Sequence, residues 1–474
     1  MNTAVVEYLK SKSIKVIEED ITEKMDVWGQ WYRGKVDKFH EYTTYSGKNT
    51  LKLERKTLNM PSRVAQRWAD LLINEKVAIS VDDDYSELKA QDLLHQVNFY
   101  VRGNNLIETA FALGGGFFIQ YWDGEKTNQK YITQEFMYPI SYDSGRLKEA
   151  AFASTSVIDG KKYVYLETHL LNEDGEYVID NSLLYSDGKD NKASLREVDD
   201  GFYETHNIIP KIETHRKEPL FQMVRPNVAN KENFNSPYGT SVYSGAIDTF
   251  KQIDLVYDSY FKEFLLGKKR IFVHDGVTNI NYDKDGNQYD VFDPNEEVFY
   301  RIPESDVEGG SPIIESNLAL RVAEHNTALQ THLNCLSQSV GFGSDGFKWD
   351  SGNVATATQI ISQNSEMFRT VKKHEQLLYD VLVDMVKGLL WVENVFGGDT
   401  KCNYEATVTI DFDDSIIEDT AEKKRQALLE LNNGLIDPIQ YYIDVYGMTE
   451  PQAIEFFNKL RARALPIVEE PDGA

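Results

Sequence analysis

Apolar residues near the start of the chain recur at three- and four-residue spacings, which is the periodicity of an amphipathic helix. This pattern predicts helices over 1–40, 58–79 and about 87–113. Ser62 is a candidate cap at the start of the second helix, and the acidic run 82–84 separates that helix from the third. The N-terminal part is therefore predicted to be mainly helical.

The segment 116–215 has a different pattern, in which strand-like runs of apolar and polar residues follow one another. Asp-Gly pairs separate the runs, and an Asp-Gly pair between two such runs is a strong hairpin signal. The segment is therefore predicted to form an antiparallel sheet. The pairs lie at 123–124, 159–160, 174–175 and 187–188.

Long helices dominate the prediction after Pro237. A helical period runs through 239–266, a length of about 42 Å at ~1.5 Å per residue. Gly267 follows, as is common at helix C-termini. A small β-rich insertion then precedes a second predicted helix over 312–340.

A glycine-rich loop at 341–352 is predicted to end that second helix. A longer helix follows over 356–392, with Thr356 and Gln359 as a plausible capping box. The remaining predicted elements are a strand and two helices, at 406–412, about 418–432 and about 449–463.

Composition narrows the possible functions. The 474 residues include 50 basic and 76 acidic side chains, a formal net charge of −26, so any contact with nucleic acid must be local or weak. Two cysteines exclude a disulfide scaffold and a cysteine-built metal site, and they suit a reducing cytoplasm. No apolar window is long enough for a membrane span, and the N-terminus lacks a cleavage pattern. We expect an intracellular protein without a membrane partner.

Short motifs give little support to an enzyme or a cofactor. The GxGxxG match at 341–346 follows a predicted helix, whereas a dinucleotide site needs a preceding strand. The segment 281–286 imitates half of a calcium loop, but Phe292 occupies the position of the bidentate acid, so a hairpin tip is predicted. His374 and Glu375 lack the second histidine of a zinc motif and are predicted to lie on a solvated helix face.

Paired acids leave one enzymatic function as an alternative. Asp411 and Asp413 would share a face of a strand, beside Asp414, so a metal or acid/base role is conceivable, although a solvated face is the simpler interpretation. No residues form a recognisable set of nucleophile, base and orienting group. A cytosolic acid/base hydrolase built on the β-rich region therefore stays as an alternative function.

The order of elements, with five sequence stretches, resembles the portal proteins of tailed double-stranded DNA bacteriophages, of the siphophage type that infects Gram-positive hosts. The resemblance implies an α+β subunit with long stem and tunnel helices, an antiparallel β-rich wing, a small α/β clip and a helical crown. Another head–tail structural protein is a further alternative, although such adaptors are usually much shorter. The stretches that carry the resemblance are 28–35, 58–79, 236–260, 341–362 and 409–422.

The resemblance also implies a function. It predicts a ring of about twelve subunits at one capsid vertex, assembled in the host cytoplasm, through which viral DNA is packaged and ejected. Terminase, scaffold, major capsid and head–tail adaptor proteins would be partners, and the subunit would use no cofactor and hydrolyse nothing. The implied parts are a wing (1–238 and 353–417), a first stem helix (239–267), a clip (268–311), a second stem helix (312–340), a tunnel loop (341–352) and a crown (418–474).

Three sets of candidate site residues follow. For the loop aromatics, we expect packing between neighbouring loops, and the alternative is that they plug into the core beneath the loop. The acidic set suits docking to a protein more than to DNA, and sparse stem cations suit a conduit that DNA slides through. The loop set is Gly341, Phe342, Gly343, Gly346, Phe347, Lys348 and Trp349; the stem set is Lys251, Lys262, Lys268, Lys269 and Arg270; the clip set is Asp283, Asp285, Asp290, Asp293, Glu296 and Glu297.

Overall fold

We analysed the chain as a computed structural model. It describes residues 3–17, 21–46, 49–74, 77–186, 195–206, 208–231, 233–268, 270–274, 280–282, 284–286, 288–290, 299–302, 313–316, 319–344, 346–349, 357–412, 420–446, 448 and 450–463.

The N-terminal region is helical but more divided than the sequence pattern indicated. The prediction of one helix over 1–40 is wrong, because Ser13 has a positive φ of 65° soon after the first helix ends. The prediction of one helix over 87–113 is also wrong, because Asn98 has a φ of 52° and separates two helices. The elements are α1 (Thr3–Ser11), α2 (Ile21–Tyr32), β1 (Glu41–Ser46), β2 (Asn49–Glu54), α3 (Met60–Leu72), β3 (Ala78–Val81), α4 (Asp84–Gln96) and α5 (Phe99–Leu113).

The helix predicted over 58–79 is confirmed in its first part. It begins after Asn59 and has Pro61 in its first turn, where the missing amide hydrogen costs nothing. Asn59, not Ser62, occupies the cap position. The chain leaves the helix at Ile73 in extended conformation and continues into β3.

The antiparallel sheet predicted over 116–215 is confirmed, and it divides into two sheets. One has the order β12-β4-β5, and the other has the order β10-β9-β8-β7-β6, with β11 on β9. Three of the Asp-Gly pairs lie in the connections after β4, β7 and β8, and the fourth lies outside the described residues. The strands are β4 (Gly116–Trp122), β5 (Thr127–Thr133), β6 (Met137–Asp143), β7 (Arg146–Ile158), β8 (Lys161–Leu171), β9 (Tyr177–Ser186), β10 (Leu195–Glu197), β11 (Lys211–Glu213) and β12 (Phe221–Val224), with α6 (Asp200–Thr205) before β11.

The C-terminal half carries the long helices. It contains α7 (Ile247–Leu266), the insertion strands β13 (Arg270–His274), β14 (Ile280–Tyr282), β15 (Gln288–Asp290), β16 (Phe299–Ile302) and β17 (Ile313–Ser316), then α8 (Val322–Ser339), α9 (Ala357–Val395), β18 (Val408–Asp411), α10 (Thr420–Asn432), α11 (Pro438–Tyr446) and α12 (Glu450–Arg463). The mixed helix and sheet content confirms the α+β class.

The helices predicted over 239–266 and 312–340 both begin later than expected. The segment before α7 is taken up by tertiary contacts, because the Val242 amide donates to the Phe111 carbonyl at the end of α5 (2.9 Å). A side chain at Gly239 would lie 2.0 Å from the Gly114 carbonyl oxygen, so only glycine fits this crossing. The helix predicted over 312–340 starts at Val322, because β17 uses the first residues to pair with β13.

The main core joins the N-terminal helices, the β12-β4-β5 sheet, the start of α7, and α8 and α9. Trp68 and Phe118 are fully buried in it, as are Phe250 of α7 and Met385 of α9. The helix α9 confirms the predicted span over 356–392 almost to its ends, while Thr356 lies outside the described residues. Among the described helices, none is both long and apolar enough to cross a membrane.

Candidate functional site

The aromatic residues of the loop after α8 are held partly by the core of the subunit. The Phe342 ring is 2 % exposed and stacks on Trp68 of α3 with ring centroids 4.6 Å apart. Phe347 meets Phe342 edge-to-face at 5.5 Å. For Phe342 the favoured prediction of packing between neighbouring loops is wrong, because its ring already lies in this subunit's interior.

Arg67 of α3 fixes the centre of the loop, and sequence reasoning did not find it. Its guanidinium lies 4.7 Å from the Phe342 ring centroid and 5.4 Å from that of Phe347, and it donates a hydrogen bond to the Gly346 carbonyl. Burial lowers the pKa of Arg67 from its usual value. The sequence holds no signal for this contact, since the two partners are 279 positions apart.

Polar side chains of α8 hold the rest of the loop. Ser337 Oγ accepts a hydrogen bond from the Gly346 amide at 2.8 Å. Gln330 binds the loop twice, as its Nε2 donates to the Phe347 carbonyl (3.1 Å) and its Oε1 accepts from the Trp349 amide (2.7 Å). Asn326 Oδ1 accepts from Trp349 Nε1 at 3.1 Å. These contacts dock the loop on the helix that precedes it.

The exposed part of the loop is its end. Lys348 and Trp349 are exposed, and the Trp349 ring also meets Tyr257 of α7 edge-to-face at 6.2 Å. Gly341 and Gly343 have positive φ values of 86° and 74°. A side chain at Gly341 would lie 2.6 Å from Thr370 of α9, so this turn requires glycine. The loop therefore presents one cation, Lys348, to solvent.

The candidate stem cations do not form a single free row. Lys251 pairs with Asp248 at 2.8 Å. Lys262 binds Asp258 at 2.5 Å and donates to the Tyr42 hydroxyl at 2.8 Å, and the hydrogen bond to Asp258 raises its pKa. Lys268 is exposed just after α7, Arg270 is half-buried in β13, and Lys269 lies outside the described residues.

Two buried acids on α7 were missed by the sequence analysis. Asp254 accepts hydrogen bonds from Thr57 Oγ1 and the Leu58 amide, both at 2.9 Å. His40 Nδ1 accepts from the Val36 amide (2.8 Å), so Nε2 carries the hydrogen that is donated to Asp254 at 3.0 Å. Asp258 accepts from the Lys56 amide at 3.1 Å. The sequence did contain a signal for these buried acids, because both lie on the apolar face of a predicted helix.

The acidic clip set is described only in part. Asp285 is exposed in the turn between β14 and β15, and Asp290 ends β15 opposite Ile280. This pairing confirms the hairpin tip predicted for 281–286. Asp283, Asp293, Glu296 and Glu297 lie outside the described residues.

His374 and Glu375 occupy a different environment from the one predicted. Each residue is 4 % exposed, so the prediction of a solvated helix face is wrong. The His374 ring lies 4.6 Å from Trp68 and 5.0 Å from Phe111, and its Nδ1 accepts from the Asn227 amide at 3.0 Å. Burial, aided by Lys373, lowers the pKa of His374 to about 3. The imidazole is therefore a neutral part of the core under the loop.

Metal-binding and nucleotide-binding geometry is lacking in the described part of the chain. No three metal-ligating side chains cluster among the residues that the structure describes. The glycines at 341–346 follow α8 and not a strand, so they do not form a dinucleotide site. Asp411 lies on β18, while Asp413 and Asp414 lie outside the described residues.

Comparison with known proteins decides the family. A family model described as "Phage portal protein, SPP1 Gp6-like" matches residues 11–461. The chain belongs to this family of phage portal proteins. The portal family is structural, so the chain has a structural role as a phage portal protein. Among curated proteins, none matches the sequence.

Two solved assemblies contain chains similar to this portal family member. A chain from "Virion of native gene transfer agent (GTA) particle" has a TM-score of 0.46 and 10% identity, with 95% of this chain and 99% of that chain covered. A chain from "Neck of native GTA particle computed with C12 symmetry" has a TM-score of 0.41 and 10% identity, with 81% and 89% covered.

Proposed function

We propose that this chain is a portal subunit that forms a ring of about twelve copies around a channel for double-stranded DNA. The ring would occupy one capsid vertex, and a separate terminase motor would drive DNA through it during packaging. Head–tail adaptor proteins would dock on the ring, and the same channel would serve ejection. The observation that carries this proposal is the family match over residues 11–461.

One face of α7 begins buried and ends as exposed apolar surface, which supports assembly into a ring. Phe250, Asp254 and Asp258 form the part of this face that is buried against the subunit body. Phe261 and Leu265 continue the same face at three- and four-residue spacing, yet they are 46 % and 49 % exposed. Apolar surface that continues beyond the body of a subunit is typical of a contact with another chain.

The parts implied by the portal family can be assigned to observed elements as proposals. We assign the wing to 1–238 and 353–417, the stem to 239–267 and 312–340, the clip to 268–311 and the crown to 418–474. On these boundaries the helical stem consists of α7 and α8, which Arg321 and Glu263 join by an ion pair of 2.7 Å. The acidic clip would present its carboxylates to a protein partner.

The docked loop supports one refinement of the DNA-contacting site. We propose that 341–352 is the tunnel loop and that Lys348, exposed at its end, contacts DNA phosphates. The Phe342 ring, buried on Trp68, would anchor the loop and would not itself touch DNA. One lysine per subunit gives weak, repeated phosphate contacts that do not prevent sliding.

The first test of this function is the assembly state. Mass photometry of the purified protein should show a species about twelve times the subunit mass of 54.3 kDa. A monomer or dimer at every concentration would contradict the portal function and would favour the alternative of a cytosolic hydrolase.

The second test is the Lys348→Ala substitution in a DNA packaging assay. Rings should form normally, while the amount of DNA packaged or retained should fall, because a phosphate contact is lost in every subunit. Lys161→Ala, at the exposed start of β8, is the matched control and should package like the wild type. If the two variants packaged equal amounts of DNA, Lys348 would not be part of the DNA-contacting site.

A further inference from the structure

The β1–β2 hairpin is an amphipathic ribbon with one apolar face. The strands pair Tyr42 with Leu53 and Thr44 with Leu51, and these side chains share one face. Leu51 and Leu53 remain 44 % and 37 % exposed. The opposite face carries Thr43 and the 81 % exposed Tyr45. A lone two-stranded hairpin is marginally stable in water, so its apolar face needs further cover.

The apolar face of the hairpin is placed beside the stem helix α7. The Tyr42 hydroxyl accepts a hydrogen bond from Lys262 of α7 at 2.8 Å. A cleft of about 480 Å³ opens next to this contact, and Phe261 and Tyr257 of α7 lie along one side of it. Glu41 and Glu54, at the base of the hairpin on the face opposite Tyr42, line the other side. The exposed leucines share their face with Tyr42, whose contact with Lys262 places that face toward the exposed end of α7.

Basic residues flank the hairpin, although the chain as a whole is acidic. Residues 33–58 carry seven basic and three acidic side chains, a net charge of +4. The strands and their turn, 41–54, carry two of each sign, so the positive charge lies at the base of the hairpin. The rest of the chain outside 33–58 carries 43 basic and 73 acidic side chains, a net charge of −30. A second copy of this chain would therefore meet the base of the hairpin with complementary charge. Nucleic acid is also anionic, but it offers no apolar surface for the two leucines.

We propose that the β1–β2 hairpin is an intersubunit clasp: its Leu51–Leu53 face and the exposed end of α7 bind the acidic, partly apolar surface of the neighbouring copy in the ring. The contact is heterologous, since the clasp of one subunit meets a different surface of the next, which is the arrangement that closes a ring. This inference rests on the proposed ring and adds the surface that holds adjacent subunits together.

The hairpin supplies its own matched control. Leu51→Glu with Leu53→Glu places two charges on the apolar face, whereas Thr43→Glu with Tyr45→Glu places the same two charges on the polar face. In mass photometry the first variant should lose the ring peak and appear as small species, and the second should keep the wild-type peak. If both variants formed rings, or if neither did, the apolar face would not have the proposed role. A monomeric wild type would instead contradict the portal function itself.

A crosslinking experiment covers the case in which the leucine variant fails to fold. A photo-crosslinking amino acid at position 51 of the wild-type ring should give covalent dimers, and the same group at position 45 should give few. Equal yields at the two positions would overturn the proposal. If Lys52→Glu with Lys56→Glu left ring assembly intact but abolished binding of short double-stranded DNA, the hairpin would be a nucleic-acid contact and not a clasp.

Discussion

Single side chains under the loop after α8 show how tertiary context overrides a sequence pattern. His374 and Glu375 lie within α9, and the sequence predicted a solvated helix face for them. The structure buries them because Trp68 and Phe111, from helices far away in the chain, pack against that face. The loop composition marked 341–352 as unusual, but Arg67 and Gln330, which dock it, could not be found from sequence because their contacts depend on the complete fold.

His374 gives the fold a calculable pH dependence. Its pKa is about 3 in the folded chain and ~6.5 when unfolded, so the unfolded state binds more protons below pH 6.5. Stability from this group is therefore complete above pH 6.5 and decreases as the pH falls toward 3. Between pH 7.5 and 5.5 we expect a loss of about 1 kcal/mol in the free energy of unfolding from this residue.

Urea unfolding at the two pH values measures this loss. His374→Gln should be less stable at pH 7.5 but should show a smaller loss on acidification. Identical losses in the wild type and the variant would show that His374 does not cause the pH dependence.

At the scale of elements, length decided what the sequence could predict. The 39-residue helix α9 has an apolar stripe of many turns and was predicted almost to its ends. The nine-residue α11 was missed, because so short a helix offers little periodicity. The β1–β2 hairpin was missed because no element was predicted between the helices over 1–40 and 58–79, although the alternation from Leu51 to Leu53 was a period-two signal. The start of α7 was missed because contacts with α5 determine it.

The joint between α7 and the N-terminal body depends on Asp254. Asp254→Ala would leave three donors without their acceptor, on His40, Thr57 and Leu58. A buried donor left unsatisfied costs about 1–3 kcal/mol, so we expect a loss of roughly 3 kcal/mol or more in the free energy of unfolding. Asp248→Ala, on the same helix with its side chain 87% exposed, should lose less than about 1 kcal/mol.

Urea denaturation of the two aspartate variants distinguishes the outcomes. If only Asp254→Ala lost stability, the hydrogen bonds from α7 to the N-terminal body would be the cause, since both variants remove one carboxylate from α7. Equal urea midpoints for the two variants would mean that apolar contacts alone hold α7 to the body.

For the whole molecule, the net charge of −26 bears on assembly. Closing a ring brings many like charges together, and this repulsion acts over the Debye length, which falls from about 10 Å at 0.1 M salt to about 3 Å at 1 M. We expect the ring fraction in mass photometry to rise as sodium chloride increases at constant pH. The basic residues that flank the hairpin oppose this trend, but the proposed contact of the hairpin is also apolar. A ring fraction that decreases with salt would show that local attraction outweighs net repulsion.

The exposed apolar surface at the end of α7 has a consequence for the life of a free subunit. Folding of one chain covers Phe250 and Ile253, whereas Phe261, Phe264 and Leu265 stay exposed in the single subunit. In the proposed ring, burial of this helix would be completed in two steps, the first independent of concentration and the second dependent on it. A subunit made in isolation would expose apolar surface to water, so ring closure would compete with aggregation. The rate at which subunits are made would then affect the yield of rings.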